Sequence, residues 1–309
     1  PRGEPGSADK RIQAYNFRII GTKVADNMVP WPKPGNYDPA RFELLLRYVN
    51  AMTAYLGRTM EYEDVTGAGP IPNGKADHNN RGGFSTDYIG KNYGYPDGDY
   101  AERARIWKDH EDYQKGFYYF LANDPRLPES MRRTTREWGL AKDEFTSNGN
   151  WPTQLYIREA RRMVGEYVSI QKDLQTDLTK PDAIGMGSYN SDSHNLQRFV
   201  NDKGFVENEG DVQVGVKPYQ IPYRSITPKR AEASNLLVPV CFSASHVAYS
   251  SMRMEPQYMI IGHASGLAAA LAIRHGVAVQ EIPVAELQSA LLKEGAVFEY
   301  GIEHQNRAL

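Results

Sequence analysis

The chain has 309 residues, 40% of them hydrophobic and 24% charged, which is enough apolar material for a sizeable core and about two domains. Lys plus Arg number 36 against 38 Asp plus Glu, a net charge of -2, so no global field draws the chain to nucleic acid or to an anionic membrane surface. Cys241 is the only cysteine, which excludes an internal disulfide framework and a multi-cysteine zinc site, and a lone buried thiol leaves the compartment open.

No window of about 18 uninterrupted apolar residues occurs, because the most apolar stretch, residues 259–273, contains His263 and Ser265; no membrane span is expected. The sequence opens on Pro1 with no basic segment and apolar core ahead of Arg11, and so reads as an excerpt or a processed product whose targeting signal would lie upstream.

In chain order, residues 1–9 are rich in Gly, Pro and Ser and read as a mobile leader, and residues 12–20 as a strand of aromatic and β-branched residues. Prolines at 30, 32 and 34 argue against regular structure over residues 27–38, after which Pro39 opens an amphipathic helix through Phe42, Leu45, Leu46 and Val49. Residues 61–99 read as loop, dense in Gly, Asn and Asp. Helices are expected over residues 100–121 and 128–138. Another is expected over 156–173, where Ile157, Ala160, Val164 and Val168 form an apolar stripe and Arg158, Glu159, Arg161, Arg162 and Glu166 a charged face with intrahelical ion pairs. Residues 235–243 contain the short run Leu236, Leu237, Val238, Pro239, Val240, which predicts a buried strand with an edge or bend at the proline, and a helix follows over residues 256–275. No period recurs along the chain, against a solenoid or propeller.

Three polar groupings stand out. Asp77, His78, Asn79 and Asn80 place a carboxylate, an imidazole and two amides in succession, a set suited to binding hydroxyl-rich ligands and, through His78, to taking a proton from an alcohol; an Asx-rich turn bonded to its own backbone is the alternative. Asp192 and His194 alternate as in a strand, and with no further Cys or His nearby they suit hydrogen bonding to substrate or backbone better than a metal. Tyr223 and Arg224 end the strand-like run PYQIPYR, whose prolines at 218 and 222 steer both toward a cleft or into cross-bracing.

The densest signal is the order strand, polar loop, helix over residues 235–276. That helix carries Gly262, Ala264, Gly266, Ala268, Ala269 and Ala270, which permit close approach, and its amino-terminal N–H groups favour an anion such as a reduced flavin. On patterning alone, plain helix-to-strand packing, an Arg253–Glu255 ion pair and a satisfied loop His246 are the preferred explanation.

The run LLVPVCFSASHVAYSSMRMEP from Leu236 and GHASGLAAALA from Gly262 resembles the carboxy-terminal flavin-binding segment of the FAD-dependent oxidoreductase family whose members often carry the label xanthan lyase. The resemblance extends through QAYNFR from Gln13, HNNRGGFSTDYIG from His78, YIREARRMVGEYV from Tyr156, SDSHNLQR from Ser191 and PYQIPYRSITPK from Pro218, and so covers nearly the whole chain. Such proteins look like glutathione-reductase-type flavoproteins. The resemblance implies an α/β fold with a mixed α+β cap: a substrate portion over residues 1–230, and the last strand and helix of the FAD-binding domain over residues 231–309. The G-x-G-x-x-G turn that grips the FAD diphosphate does not occur in the sequence, which implies that a missing amino-terminal FAD-binding half would be a partner.

By the same resemblance, Ser243, Ser245, His246, Ser251, Met252, Arg253, Met254, Glu255 and Gln257 would contact the isoalloxazine, with His246 and Arg253 stabilising negative charge at its pyrimidine edge. Asp77, His78, Asn79, Asn80, His194, Tyr223 and Arg224 would meet the substrate. The implied cofactor is FAD, with no metal. The implied reaction is oxidation of an alcohol or related C–H group of a small molecule or oligosaccharide by hydride transfer to flavin N5, with His78, His246 and Arg253 as the chemical groups. A flavin-free uronate lyase and a non-catalytic glycan-binding fragment are the alternatives.

Overall fold

A computed structural model describes residues 9–300, so that nearly all of the expected leader lies outside the described residues. The fold is mixed α/β, and the chain divides into two compact units: residues 1–159 with 195–209, and residues 160–194 with 210–309. The two units interleave along the chain, each drawing on two segments of sequence.

In the first unit, β1 (Ile19–Thr22), β2 (Met28–Val29), β3 (Thr66–Ile71), β4 (Lys75–Asn80) and β5 (Gly139–Ala141) form an antiparallel sheet in the order β2-β5-β1-β4-β3. The expected strand over residues 12–20 contracts to β1, although residues 12–17 are all buried. The expected loop over residues 61–99 contains the β3–β4 hairpin, turned at Asn73 and Gly74, whose φ angles of 66° and 68° lie in the left-handed region that Asn and Gly tolerate best. Thr66–Ile71 is rich in Gly and Pro, which hides the strand from a composition-based reading.

Helix α1 (Glu43–Leu56) starts where expected. Asp38 accepts a hydrogen bond from Ala40 N at 2.9 Å, Pro39 opens one 3-10 turn, and Gly57 ends the helix with φ 64°. Asp99 caps α2 (Tyr100–Asn123) by accepting from Glu102 N at 2.8 Å, and α3 (Glu129–Arg136) follows. These helices close an aromatic core in which Trp31 stacks on Tyr118 with ring centroids 4.2 Å apart and Tyr88 on Tyr113 at 4.0 Å.

Beyond residue 155 the chain departs from expectation. Residues 156–170 are not helical, and only α4 (Gln171–Gln175) forms there. Ile157, Val164 and Val168, the supposed buried stripe, are exposed, whereas Arg158 and Glu159 are each 2% exposed. Arg158 donates to Ala14 O at 2.6 Å and Asn16 Oδ1 at 3.0 Å, and Glu159 O accepts from Tyr15 Oη at 2.5 Å. In the second unit Met163 N donates to Cys241 O at 2.8 Å and Gly165 N to Ser243 Oγ at 3.0 Å. Backbone donors that a helix would use internally are committed to distant sequence, and two buried charged side chains hold the extended path.

Strands β6 (Ala183–Gly187) and β7 (Ser191–Ser193) belong to the second unit; β8 (Gln197–Val200) and β9 (Val206–Glu209) form a hairpin of the first; β10 (Val212–Val214) pairs with β7, and β11 (Tyr219–Pro222) with β6. Residues 235–243 form no strand: they run as turns and bends, with Leu236, Val240 and Cys241 exposed, and the thiol is therefore not the buried group the sequence suggested. Helices α5 (His246–Met252), α6 (Glu255–His275) and α7 (Val284–Lys293) complete the unit. The inner face of α6, Ile261, Ala264, Ala268 and Leu271, packs in a core with Ile184, Tyr219, Ile221 and Phe242. No helix among the described residues is long and apolar enough to cross a membrane.

Gly139 shows how tightly the first sheet is assembled, because a Cβ there would lie 2.3 Å from Val29 O. Gly139→Ala is expected to lower stability by about 1–3 kcal/mol, the usual cost of overpacking a rigid site; an unchanged urea midpoint would show that β2 and β5 are not held this closely.

Candidate functional site

The four residues Asp77 to Asn80 lie on β4 and so alternate between two faces of the sheet. Asp77 forms a forked ion pair with Arg18, and Asn79 Oδ1 accepts from Asn16 Nδ2 and Arg158 Nη2, each at 3.2 Å. Arg158 also lies 3.1 Å from Asp87 Oδ1, with both side chains essentially excluded from water. Asn80 is half-buried opposite Thr66. His78 faces the other way, into the aromatic core.

His78 is 0% exposed, with Nδ1 2.6 Å from Tyr62 Oη and the ring edge-on to Trp138 at 4.8 Å. Its Nε2 has no hydrogen-bond partner among the described residues and lies 2.4 Å from where a Cβ on Gly21 would stand, so the imidazole fills the space that glycine leaves. Burial lowers its pKa from 6.5 to about 4. The structure thus places His78, expected to meet substrate and take its proton, inside the core, where desolvation favours the neutral ring. His110, 1% exposed with Nδ1 2.8 Å from Ile106 O, is likewise depressed by burial to about 4.

In the second unit, two stretches that are separate in sequence come together. Strand β7 presents Ser191 and Ser193, both fully buried, with Asp192 between them partly exposed, and β7 packs against α5. Helix α5 begins because Ser245 Oγ accepts from Ala248 N at 3.2 Å. His246 opens the helix, and its Nε2 lies 2.9 Å from Ser193 Oγ. One turn on, Ser251 Oγ hydrogen-bonds Tyr219 Oη at 2.7 Å and donates to Tyr189 O.

Arg253 terminates α5 and is 3% exposed. Its Nη2 donates to Asp192 O at 2.8 Å and lies 3.4 Å from Asp192 Oδ2, while Nε has no hydrogen-bond partner among the described residues. Asp192 Oδ1 accepts from Gln213 Nε2 at 2.7 Å and stands 3.9 Å from His194 Nε2. Helix α6 then starts with Pro256 in its first turn and no side-chain cap, which leaves amino-terminal N–H groups for another acceptor. A buried guanidinium, a half-buried imidazole and an uncapped helix start thus follow one another along the chain, beside a carboxylate.

The remaining candidates divide. Ser243 is buried at a seam, Ser245 is the helix cap, and Met252 is 2% exposed in the core. Met254 is half-buried at the α5–α6 break, Glu255 is exposed and Gln257 is buried at the start of α6. Tyr223 is 3% exposed and donates to Val279 O at 2.7 Å, so it braces the core; Arg224 is exposed over the Tyr167 ring at 4.1 Å. Reading the sequence alone overlooked Ser191, Ser193, Gln213 and Tyr219, for which the only signal was the alternation of Ser191, Asp192, Ser193 and His194.

A protein-family model described as FAD dependent oxidoreductase matches residues 4–291. Comparisons with curated proteins and with solved structures gave no match.

The two buried histidines carry a pH signature. Their folded pKa of about 4 lies below the unfolded value of 6.5, so their contribution to stability is complete above pH 6.5 and declines as pH falls toward 4. The slope is at most about 1.4 kcal/mol per pH unit for each. Unfolding free energies measured by urea between pH 7 and pH 5, expressed on the slope as a proton uptake, are expected to fall by nearly one proton's worth less in His78→Gln; equal slopes would mean that this imidazole is solvated.

Proposed function

The chain belongs to the FAD dependent oxidoreductase family, and from that premise we propose that its β7–α5 cluster forms one wall of the flavin site of an enzyme that oxidises an alcohol or related C–H group on a carbohydrate-like substrate. The observation that carries this reading is the convergence, within one unit, of His246, Arg253 and Asp192 beside the uncapped start of α6.

The donor set suits the group. Arg253 is a buried cation whose Nε has no partner among the described residues, and it would hold the electron-rich edge of the isoalloxazine together with the N–H groups at the start of α6. Bound FAD would supply the two-electron acceptor, receiving hydride at N5. His246 would accept the proton of the substrate hydroxyl. Asp192, Gln213 and His194 offer the acceptors and donors that sugar hydroxyls require.

Grip on the FAD diphosphate would come from a partner half bearing a glycine-rich turn. The outer face of α6 supports such an arrangement: Cβ atoms on Gly262 and Gly266 would meet nothing within 4 Å, and Met259 and Ile273 are 73% and 83% exposed. A close-packing apolar face of this kind buries against another surface at a gain.

The test is the visible spectrum of the chain co-produced with a FAD-binding half, followed by turnover on a panel of sugars. Flavin bands are expected in the wild type and in His246→Gln, with kcat in the variant lower by about 10²–10⁴-fold, and weaker flavin retention in Arg253→Met. Colourless protein under every condition would sink the reading; flavin bands with undiminished turnover in His246→Gln would remove His246 from the chemistry.

A further inference from the structure

We infer that the open face of the first unit's sheet, over β3 and β4, is a binding site for a neutral sugar ring, with Arg18, Asp77 and Asn79 as its hydrogen-bonding groups and Gly67 and Gly69 as its floor. All five residues belong to the first unit, and the site does not depend on the flavin.

The register of the β3–β4 ladder builds the floor. Gly67 pairs with Asn79 and Gly69 with Asp77, so each polar side chain has, directly beside it on the same face, a residue with none. A Cβ on Gly67 would meet only Asn80 O at 3.6 Å and Asn79 O at 3.8 Å, and one on Gly69 only Asp77 O at 3.8 Å. Glycine weakens a strand, and it recurs where the backbone needs a positive φ or where a ligand or another backbone comes close. Neither glycine has a positive φ, and the only backbone that these Cβ positions would meet is that of their own partner strand. Close approach of a ligand is the reason that is left.

The polar groups beside this floor are held from behind and open in front. Asn79 Oδ1 accepts from Asn16 Nδ2 and from the buried Arg158, each at 3.2 Å, which fixes the amide's orientation. Its NH2 group donates to no acceptor among the described residues. Arg18 grips Asp77 through Nε, at 3.1 Å, and Nη2, while Arg18 Nη1 has no acceptor among the described residues. Both side chains stay near the surface, at 35% and 29% exposure. The Tyr156 ring, 5.6 Å from the Arg18 guanidinium, bounds the site. Arg18 with Asp77, and Arg158 with Asp87, are each neutral as a pair, so the site presents donors and acceptors without net charge. Adjacent hydroxyls match that set, because each gives one hydrogen, here to the Asp77 carboxylate, and receives another, here from Asn79 or Arg18. Two positions along a strand are about 7 Å apart, a separation that one ring with its hydroxyls bridges.

The test is a nitrogen-15 NMR titration of the full chain, without FAD, using the methyl glycosides of glucose, galactose and mannose, with glucuronate as the anionic control. At least one neutral sugar is expected to give saturable shifts of the Asn79 NH2 signal, assigned by its loss in Asn79→Asp, and of the β3 amides. Asn79→Asp keeps an oxygen for Arg158 and Asn16 but removes the NH2 donor, and should weaken binding about tenfold, roughly the worth of one hydrogen bond. Gly69→Val removes no hydrogen bond and covers the floor; it should abolish the shifts with Tm unchanged. No saturable shift with any neutral sugar, tighter binding of glucuronate than of every neutral sugar, or a Gly69→Val titration identical to wild type overturns the inference. Should Asn79→Asp not fold, Gly69→Val decides. Because no flavin enters the measurement, a failed titration leaves the flavin reading standing, and a colourless protein leaves the sugar site standing.

Discussion

Removing a guanidinium from water is costly, an effective several kcal/mol even after relaxation, and the second unit is arranged around meeting that cost at Arg253. The residue sits in the two-residue break between α5 and α6, where neither helix supplies a carbonyl to its side chain. Its oxygens come from Asp192, through main chain and carboxylate together. This ties β7 to the end of α5, and the pleat of β7 then turns Ser191 and Ser193 inward on either side of Asp192. The serine contact to His246 is a consequence of that anchoring. One desolvated charge therefore determines which polar groups become neighbours.

The first unit uses the same device differently. Arg158 is fully buried against Asp87 and shares Asn16 and Asn79 oxygens, which pins residues 156–159 in an extended path beside residues 14–16. The periodicity of Ile157, Ala160, Val164 and Val168 is that of an amphipathic helix, and a reading by period had no means of knowing that the charged face would go inward. Here tertiary pairing overrides propensity.

What was legible in the sequence were the features set by local rules. Pro39 opens the turn that leads into α1, α2 begins at Tyr100 as expected, and α6 runs to His275 as expected, because caps and breakers act within a turn or two. The β3–β4 hairpin was hidden by a strand of Gly and Pro, although Asn73-Gly74 marks its turn. Of the candidate site, the α5 segment was legible through resemblance and Asp192 with His194 through alternation. Their joining was not, since pairing between β7 and α5 spans more than fifty positions of sequence and depends on where Arg253 finds oxygen. Likewise His78 read as a loop residue because the hairpin carrying it was unseen; once β4 is a strand, Asp77 and Asn79 must face opposite to His78.

The contrast between His78 and His246 shows what burial does to the same side chain. A proton acceptor has to meet its donor and has to tolerate the charge it acquires. His78 satisfies neither condition, since Trp31, Tyr62 and Trp138 enclose it and desolvation lowers its pKa to about 4. His246 is half-buried instead, with its Nε2 2.9 Å from the hydroxyl of Ser193, on the strand that also carries the carboxylate of Asp192.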